Sequence, residues 1–89
     1  MIERFHGVDL HKHYATISVR DAGGKELYCI TKCMDFKGYI DKLSSEDAVV
    51  IESVSNSFYY SDEIEKKGAQ CFIIDSFKFK IISESWQKT

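Results

Sequence analysis

A change in hydrophobic pattern near residue 35 is the feature that most limits what this chain can fold into. Before that point the sequence predicts three successive strands, at Phe5–Asp9, His13–Arg20 and Lys25–Lys32. The second strand shows the clearest pattern, because Ala15, Ile17 and Val19 alternate with polar or aromatic residues. The pair Gly23-Gly24 predicts a hairpin turn between the second and third strands, since glycine adopts positive φ without strain.

After residue 35 the pattern alternates between helix and strand. Asp35 is the expected N-cap of a first helix, whose apolar residues follow at i, i+3, i+4 and i+7 as Phe36, Tyr39, Ile40 and Leu43. Ala48–Glu52 is the continuous apolar run expected of a strand covered on both faces. The remaining elements are a helix from about Ser57 or Phe58 to Lys67 with Gly68 behind it, a strand at Cys71–Ile74, and a helix from Ser76 to about Gln87.

The resulting order, β-β-β-α-β-α-β-α, is typical of the ribonuclease H-like α/β fold with a mixed sheet. In that topology the first strand lies at the centre of the sheet and the fourth packs parallel beside it. Ligands of open α/β sheets collect at the carboxyl ends of such strands. Asp9 ends the first strand and Glu52 ends the fourth, so we expect the two carboxylates to lie at one edge.

Two neighbouring carboxylates repel each other, and a bound cation relieves that repulsion. Hard divalent cations such as Mg²⁺ prefer carboxylate oxygens and keep water or phosphate as further ligands. Asp9 and Glu52 are therefore the candidate catalytic and metal-binding residues, with Mg²⁺ or Mn²⁺ as the cofactor. An acid at a strand end is, on its own, more often a turn residue or simply solvated.

Composition bounds the class of protein. The 89 residues form one small domain or part of one, and 44% hydrophobic content is enough for a core. A net charge of -2 differs from that of a free-standing nucleic-acid-binding domain but allows a catalytic one. No apolar stretch is long enough to span a membrane, and three cysteines without a framework spacing favour a reduced, cytoplasmic compartment.

Several segments together resemble a known family. They are FHGVDLHKH at residues 5–13, the Gly23-Gly24-Lys25 hairpin and VVIESVSNSFY at residues 49–59. In order and spacing they are similar to the start of the DEDD-type transposases and invertases of bacterial insertion elements, whose N-terminal domain is RuvC-like. The resemblance covers essentially the whole chain, although each motif is short.

The resemblance implies a DNA recombinase that cuts and rejoins phosphodiester bonds with Mg²⁺. Asp9 and Glu52 match the first two acidic positions, and Lys88-Thr89 matches the Lys-Thr before the third. Residues 1–89 would then be the N-terminal part of a RuvC-like catalytic domain that stops before the last acidic residues. DNA is the expected partner, with an element-encoded guide RNA in some members, and we expect a homo-oligomer at full length.

Two departures from the family pattern stand out: Val54-Ser55 replaces a Thr-Gly type of pair, and Asp75-Ser76 replaces Asn-Pro. Lys12, three residues after Asp9, is a candidate for contact with a nucleic-acid phosphate, although a turn lysine is more often solvated.

Two alternatives remain open. Gly7-Val8-Asp9 followed by a hairpin also resembles the start of the actin-like and sugar-kinase ATPases, which share this strand order. Those proteins need a small, glycine-rich turn after the aspartate so that backbone amides approach the ATP phosphates. Here the turn is the bulky His11-Lys12-His13-Tyr14. The other alternative is a non-catalytic binding module with the same fold.

Overall fold

The computed structural model describes residues 1–52 and 56–74, which form a five-stranded sheet with two helices. The elements in chain order are β1 (Arg4–Leu10), β2 (Ala15–Asp21), β3 (Glu26–Cys33), α1 (Phe36–Ile40), β4 (Asp47–Glu52), α2 (Ser57–Lys66) and β5 (Gln70–Ile74). The helix predicted from Ser76 to Gln87, and the Lys88-Thr89 pair, lie outside the described residues. No helix in the described ranges is long and apolar enough to cross a membrane.

The sheet is mixed, with strand order β3-β2-β1-β4-β5. β1 pairs antiparallel with β2, β2 pairs antiparallel with β3, and β4 runs parallel to both β1 and β5. The predicted central position of β1, with β4 parallel beside it, is confirmed. The α/β class with a mixed sheet is confirmed with it.

The β2–β3 hairpin closes through Asp21. Its Oδ1 accepts hydrogen bonds from the backbone N–H groups of Gly23 and Lys25, both at 2.9 Å. Gly24 has a φ of 89°, which a residue with a side chain adopts only with strain. The Asp-Ala-Gly-Gly sequence at residues 21–24 therefore marks a turn in which the backbone conformation and the side-chain hydrogen bonds agree.

Both helices lie on one face of the sheet, and the core is between them and the strands. The strand residues on this face alternate as the period-2 pattern predicts, and the helices add Phe36, Ile40 and Ile64. The buried cluster on the strands comprises Val8, Ala15, Ile17, Val19, Val49 and Ile51. All six are 4% exposed or less, so this face forms a true hydrophobic core.

Helix α1 is shorter than predicted. Asp35 is its N-cap, as expected, and Oδ1 of that side chain accepts from the backbone N–H of Gly38 at 3.0 Å. The helix ends at Ile40, and Leu43 lies just after it in a turn. The backbone N–H of Leu43 donates to the carbonyl of Ile40 at 3.0 Å. Leu43 still joins the core, so the periodicity identified the buried residues but not the length of the helix.

Helix α2 matches the prediction closely. Asn56 precedes it, Ile64 is fully buried and Tyr60 packs against the same core. Gly68 follows the helix with a φ of 85°, the left-handed conformation that ends many helices.

The opposite face of the sheet is not covered by either described helix. Phe5 and Phe72 lie on it and are 43% and 52% exposed, and Val50 is half-buried. We expected β4 to be covered on both faces. Within residues 1–52 and 56–74, it is covered on the helical face alone. Asp9 and Glu52 both lie on this open face.

Candidate functional site

Asp9 and Glu52 come together through the register of β1 and β4. Val8 pairs with Ile51 across these parallel strands, and the next residue of each strand is an acid. Val8 and Ile51 point into the core, so the following side chains point to the open face. The structure therefore places Asp9 and Glu52 on one face, at the carboxyl ends of adjacent strands, as the sequence predicted.

The two acids line a shallow cleft of about 470 Å³ on the open face. β2 contributes Thr16, which is the register partner of Asp9, and also Ser18. Phe5 and Val50 form part of an apolar floor. The cleft therefore presents carboxylates and hydroxyls at one end and the charged Arg20 at the other, with apolar residues between them.

The carboxylate of Asp9 has a partner that the sequence analysis missed. Nε2 of His11 lies 3.2 Å from Oδ2 of Asp9, and both side chains are partly exposed. The ring of His11 stacks on the ring of Tyr14 with centroids 4.5 Å apart. The backbone N–H of His11 donates to the backbone carbonyl of Tyr14 at 2.8 Å. The turn after β1 is thus closed and filled by aromatic rings. A histidine two residues after a strand-end aspartate was the available sequence signal.

Glu52 is held at the end of β4 by the start of the following helix. The Ser57 hydroxyl donates to the backbone carbonyl of Glu52 at 2.7 Å, and Ser57 is fully buried. This bond joins the end of β4 to the start of α2. Residues 53–55, which include the Val54-Ser55 departure noted above, lie outside the described residues.

The cleft offers a divalent cation two suitable ligands, the carboxylates of Asp9 and Glu52. In the described ranges, no three or more side chains of histidine, cysteine, aspartate or glutamate are grouped to hold a metal ion. Asp9 and Glu52 provide carboxylate oxygens, the ligands that Mg²⁺ prefers, and their partial exposure leaves room for water or phosphate. The donor chemistry therefore fits a hard cation that shares its coordination with a ligand.

Lys12 does not line the carboxylate cleft. It lies in the β1–β2 turn, is exposed, and borders a second cavity of about 620 Å³ next to the start of α2. Lys12 is three residues from Asp9 in the chain, but it lines this second cavity and not the cleft.

A buried polar cluster, which sequence reasoning did not find, lies at the other end of β1 and β4. Nε2 of His6 donates to Oδ1 of Asp47 at 2.7 Å, and Nε of Arg4 donates to the same oxygen at 2.7 Å. The second ring nitrogen of His6 then accepts from the hydroxyl of Tyr39 on α1. His6 and Asp47 are each 2% exposed.

The electrostatics of this cluster favour a charged Asp47. Burial alone would raise the pKa of the carboxyl, but hydrogen bonds from Arg4, His6 and Ser44 outweigh it and lower the pKa to about 2. Burial raises the pKa of Tyr39, so its hydroxyl remains a donor to His6. The cluster therefore acts as a structural clamp that joins β1, β4 and α1. It lies at the amino-terminal ends of the two strands, and Asp9 and Glu52 lie at their carboxyl ends.

Comparison with known proteins shows a similarity of fold. No family model matches the chain, and no curated protein matches it. Among solved structures, the chain is similar to a Bacteroides thetaiotaomicron protein described as having an actin-like ATPase fold and unknown function. The TM-score is 0.62 with 18% sequence identity, over 81% of this chain and 32% of that one.

This similarity concerns the fold. The chain spans about a third of the length of the Bacteroides protein. The chain is therefore a small α/β unit with a mixed five-stranded sheet, of a kind also found within an actin-like ATPase fold.

Proposed function

We propose that the chain is part of a domain that binds phosphate through a divalent cation, with Asp9 and Glu52 as protein ligands. The observation that carries the proposal is their placement on one face, at the carboxyl ends of adjacent parallel strands. That edge is where ligands of open α/β sheets collect. A cation bound there would polarise a phosphoryl oxygen and offset the charge of the phosphate. His11, paired with Asp9, would orient that carboxylate.

The first candidate is an ATP-binding protein of the actin-like class, of which this chain would be a part. The similarity to a solved structure with an actin-like ATPase fold supports it. The strand order β3-β2-β1-β4-β5 supports it as well, since we interpret this order as the ribonuclease H-like topology that those ATPases share. In this candidate the ligand is the cation complex of ATP.

The second candidate is the DNA recombinase of the DEDD transposase and invertase type, with Mg²⁺ or Mn²⁺ as cofactor. A specific observation favours it: the turn after Asp9 contains no glycine and is occupied by the stacked rings of His11 and Tyr14. Such a turn leaves little space for backbone amides to enclose the phosphates of ATP. A phosphodiester crossing the sheet edge makes no such demand on the turn.

The two candidates differ in ligand, so a binding experiment separates them. The purified chain is titrated with ATP and, separately, with a short double-stranded DNA, in Mg²⁺ and in EDTA. Binding is followed by ¹⁵N-edited NMR at the amides around Asp9 and Glu52. Mn²⁺ added in trace amounts broadens the amides nearest the cation. Two carboxylates give a weak site, with a Kd in the millimolar range or above.

The matched variants are Asp9→Asn and Glu52→Gln against Asp62→Asn, which removes one exposed carboxylate from α2. We expect the first two to abolish selective Mn²⁺ broadening at the sheet edge and the third to leave it unchanged. Cation-dependent binding of ATP supports the first candidate, and cation-dependent binding of DNA supports the second. If neither ligand binds and Mn²⁺ broadens no amide near Asp9, the phosphate-binding proposal is wrong and a non-catalytic module remains.

A further inference from the structure

The cavity beside Lys12 and the carboxylate cleft have no lining residue in common, although His11, the partner of Asp9, lines the cavity. It lies between the β1–β2 turn, the segment after β3 and the start of α2, and has a volume of about 620 Å³. Cavities of this size commonly hold small organic ligands. Neither Asp9 nor Glu52 lines it.

The rim of the cavity is basic. Lys12 and His13 are exposed, and neither makes an ion pair with another residue of the described ranges. Nζ of Lys32 lies 5.4 Å from the ring centroid of Tyr14, which also lines the cavity, so a third basic group is close by. No aspartate or glutamate is among the described lining residues. The rim therefore favours an anion.

Other residues that line the cavity form an apolar and aromatic wall. Tyr60 is half-buried and meets the buried Phe36 edge to face with centroids 4.9 Å apart, and Met34, which also lines the cavity, is 67% exposed. Aromatic rings and a thioether pack well against a planar heterocycle. A ligand that satisfies both wall and rim carries a flat ring at one end and a negative charge at the other.

Asn56 completes the set of contacts. It lines the cavity and precedes α2, yet its side chain makes no capping hydrogen bond to the helix. A carboxamide offers both a donor and an acceptor, the combination that pairs with the polar edge of a nucleobase.

We propose that this cavity binds one nucleotide unit. Its base packs against Met34 and Tyr60, and its phosphate lies at Lys12 and His13. The unit is either a free nucleotide or one nucleotide of a single strand, since both present a base and a phosphate. The site goes beyond the proposed function, because it needs neither a cation nor the carboxylates of Asp9 and Glu52.

The test is a ¹⁵N-edited NMR titration in EDTA with two probes, thymidine 5′-monophosphate and a thymidine hexanucleotide. We expect shifts at the amides of residues 12–14, 34, 56 and 60, and little change at Glu52. The variants are Lys12→Glu and, at the opposite end of β2, Lys25→Glu, which makes the same change of charge at an exposed turn position. Loss of a phosphate contact should weaken binding about tenfold in Lys12→Glu, and Lys25→Glu should change it less than about twofold.

Each outcome of the titration either supports or overturns the nucleotide-binding proposal. Shifts with the monophosphate identify a free nucleotide, and shifts with the hexanucleotide alone identify a strand. The proposal is overturned if neither probe shifts the cavity amides at about 10 mM, a concentration that reveals even millimolar affinity. It is also overturned if both lysine variants weaken binding equally, which would show unspecific attraction. His13→Ala, another exposed position, repeats the test should Lys12→Glu fold poorly. Binding that survives in the Asp9→Asn, Glu52→Gln double variant separates this site from the cation site.

Discussion

Val8 and Ile51 are register partners across two parallel strands, and each is followed by an acid. Because both partners are buried on the helical face, Asp9 and Glu52 lie together on the open face. The pair therefore depends on the packing of its hydrophobic neighbours, and each of the following predictions tests one part of that arrangement.

Removing either acid should affect cation binding and leave the fold intact. Asp9 is exposed and Glu52 is half-buried, so Asp9→Asn and Glu52→Gln should change the free energy of unfolding by less than about 0.5 kcal/mol in EDTA. In Mg²⁺ at ten times Kd, the wild type gains about 1.4 kcal/mol, which both variants lack. Urea unfolding with and without MgCl₂ measures both quantities. A gain retained by Asp9→Asn would contradict the assignment of this ligand.

The buried clamp should contribute far more to stability than the exposed acid beside it. Asp47→Asn leaves Arg4 and His6 without their charged partner, and we expect a loss of about 3 kcal/mol. Glu46→Gln is the matched control, because its carboxylate is 55% exposed and lies 3.6 Å from Arg4. That change should alter the free energy of unfolding by less than about 0.5 kcal/mol. Similar losses in the two variants would show that burial of Asp47 has no special role.

Stability should fall at acid pH through the same carboxyl. The pKa of Asp47 is about 2 in the folded protein against 3.8 for the free side chain, so the unfolded state takes up its proton first. The stabilisation is therefore present above about pH 4 and is lost as pH falls towards 2, by about 2 kcal/mol. The difference in unfolding free energy between wild type and Asp47→Asn, measured from pH 5 to pH 2, isolates this residue. A difference that does not change with pH would contradict the lowered pKa.

The hydroxyl of Tyr39 should stabilise the protein through His6. Tyr39→Phe removes the donor to a ring nitrogen that is buried, and an unsatisfied buried group costs about 1–3 kcal/mol. Tyr59→Phe is the control, because Tyr59 is 52% exposed and its hydroxyl lies outside the cluster. Thermal unfolding at neutral pH compares the two variants. Equal stabilities would mean that His6 finds another partner when Tyr39 is absent.

Local patterns predicted most of the fold. The alternation in β2, the cap at Asp35 and the glycine after α2 each report the conformation of their own neighbourhood. The parallel neighbours β1 and β4 followed from element order, and the Asp9–Glu52 pair followed from them. The predicted end of α1 was wrong because Leu43 reaches the core from the turn after the helix. Its i+7 spacing from Phe36 fits a helix, although the helix has already ended at Ile40.

The clamp escaped prediction for a physical reason. Asp47 was left out of the fourth strand, which the sequence analysis began at Ala48 because a charged residue seldom lies in a core. Its partners His6 and Arg4 are 41 and 43 residues away in the chain, and no spacing rule connects side chains at such separations. The second cavity likewise forms from three separate segments, so only the folded chain brings Lys12 and Asn56 to one site.

Asp47 and Glu52 are the two ends of one strand, about 17 Å apart at the usual rise per residue. The clamp on Asp47 holds β4 in the register that puts Glu52 level with Asp9, and a slip of one residue would turn Glu52 towards the helices. Substitutions at Arg4, His6 and Asp47 would therefore disturb the placement of Glu52 as well as the stability of the fold. Purifying selection on these three positions would look like selection on an active site, although its target is the alignment of two strands.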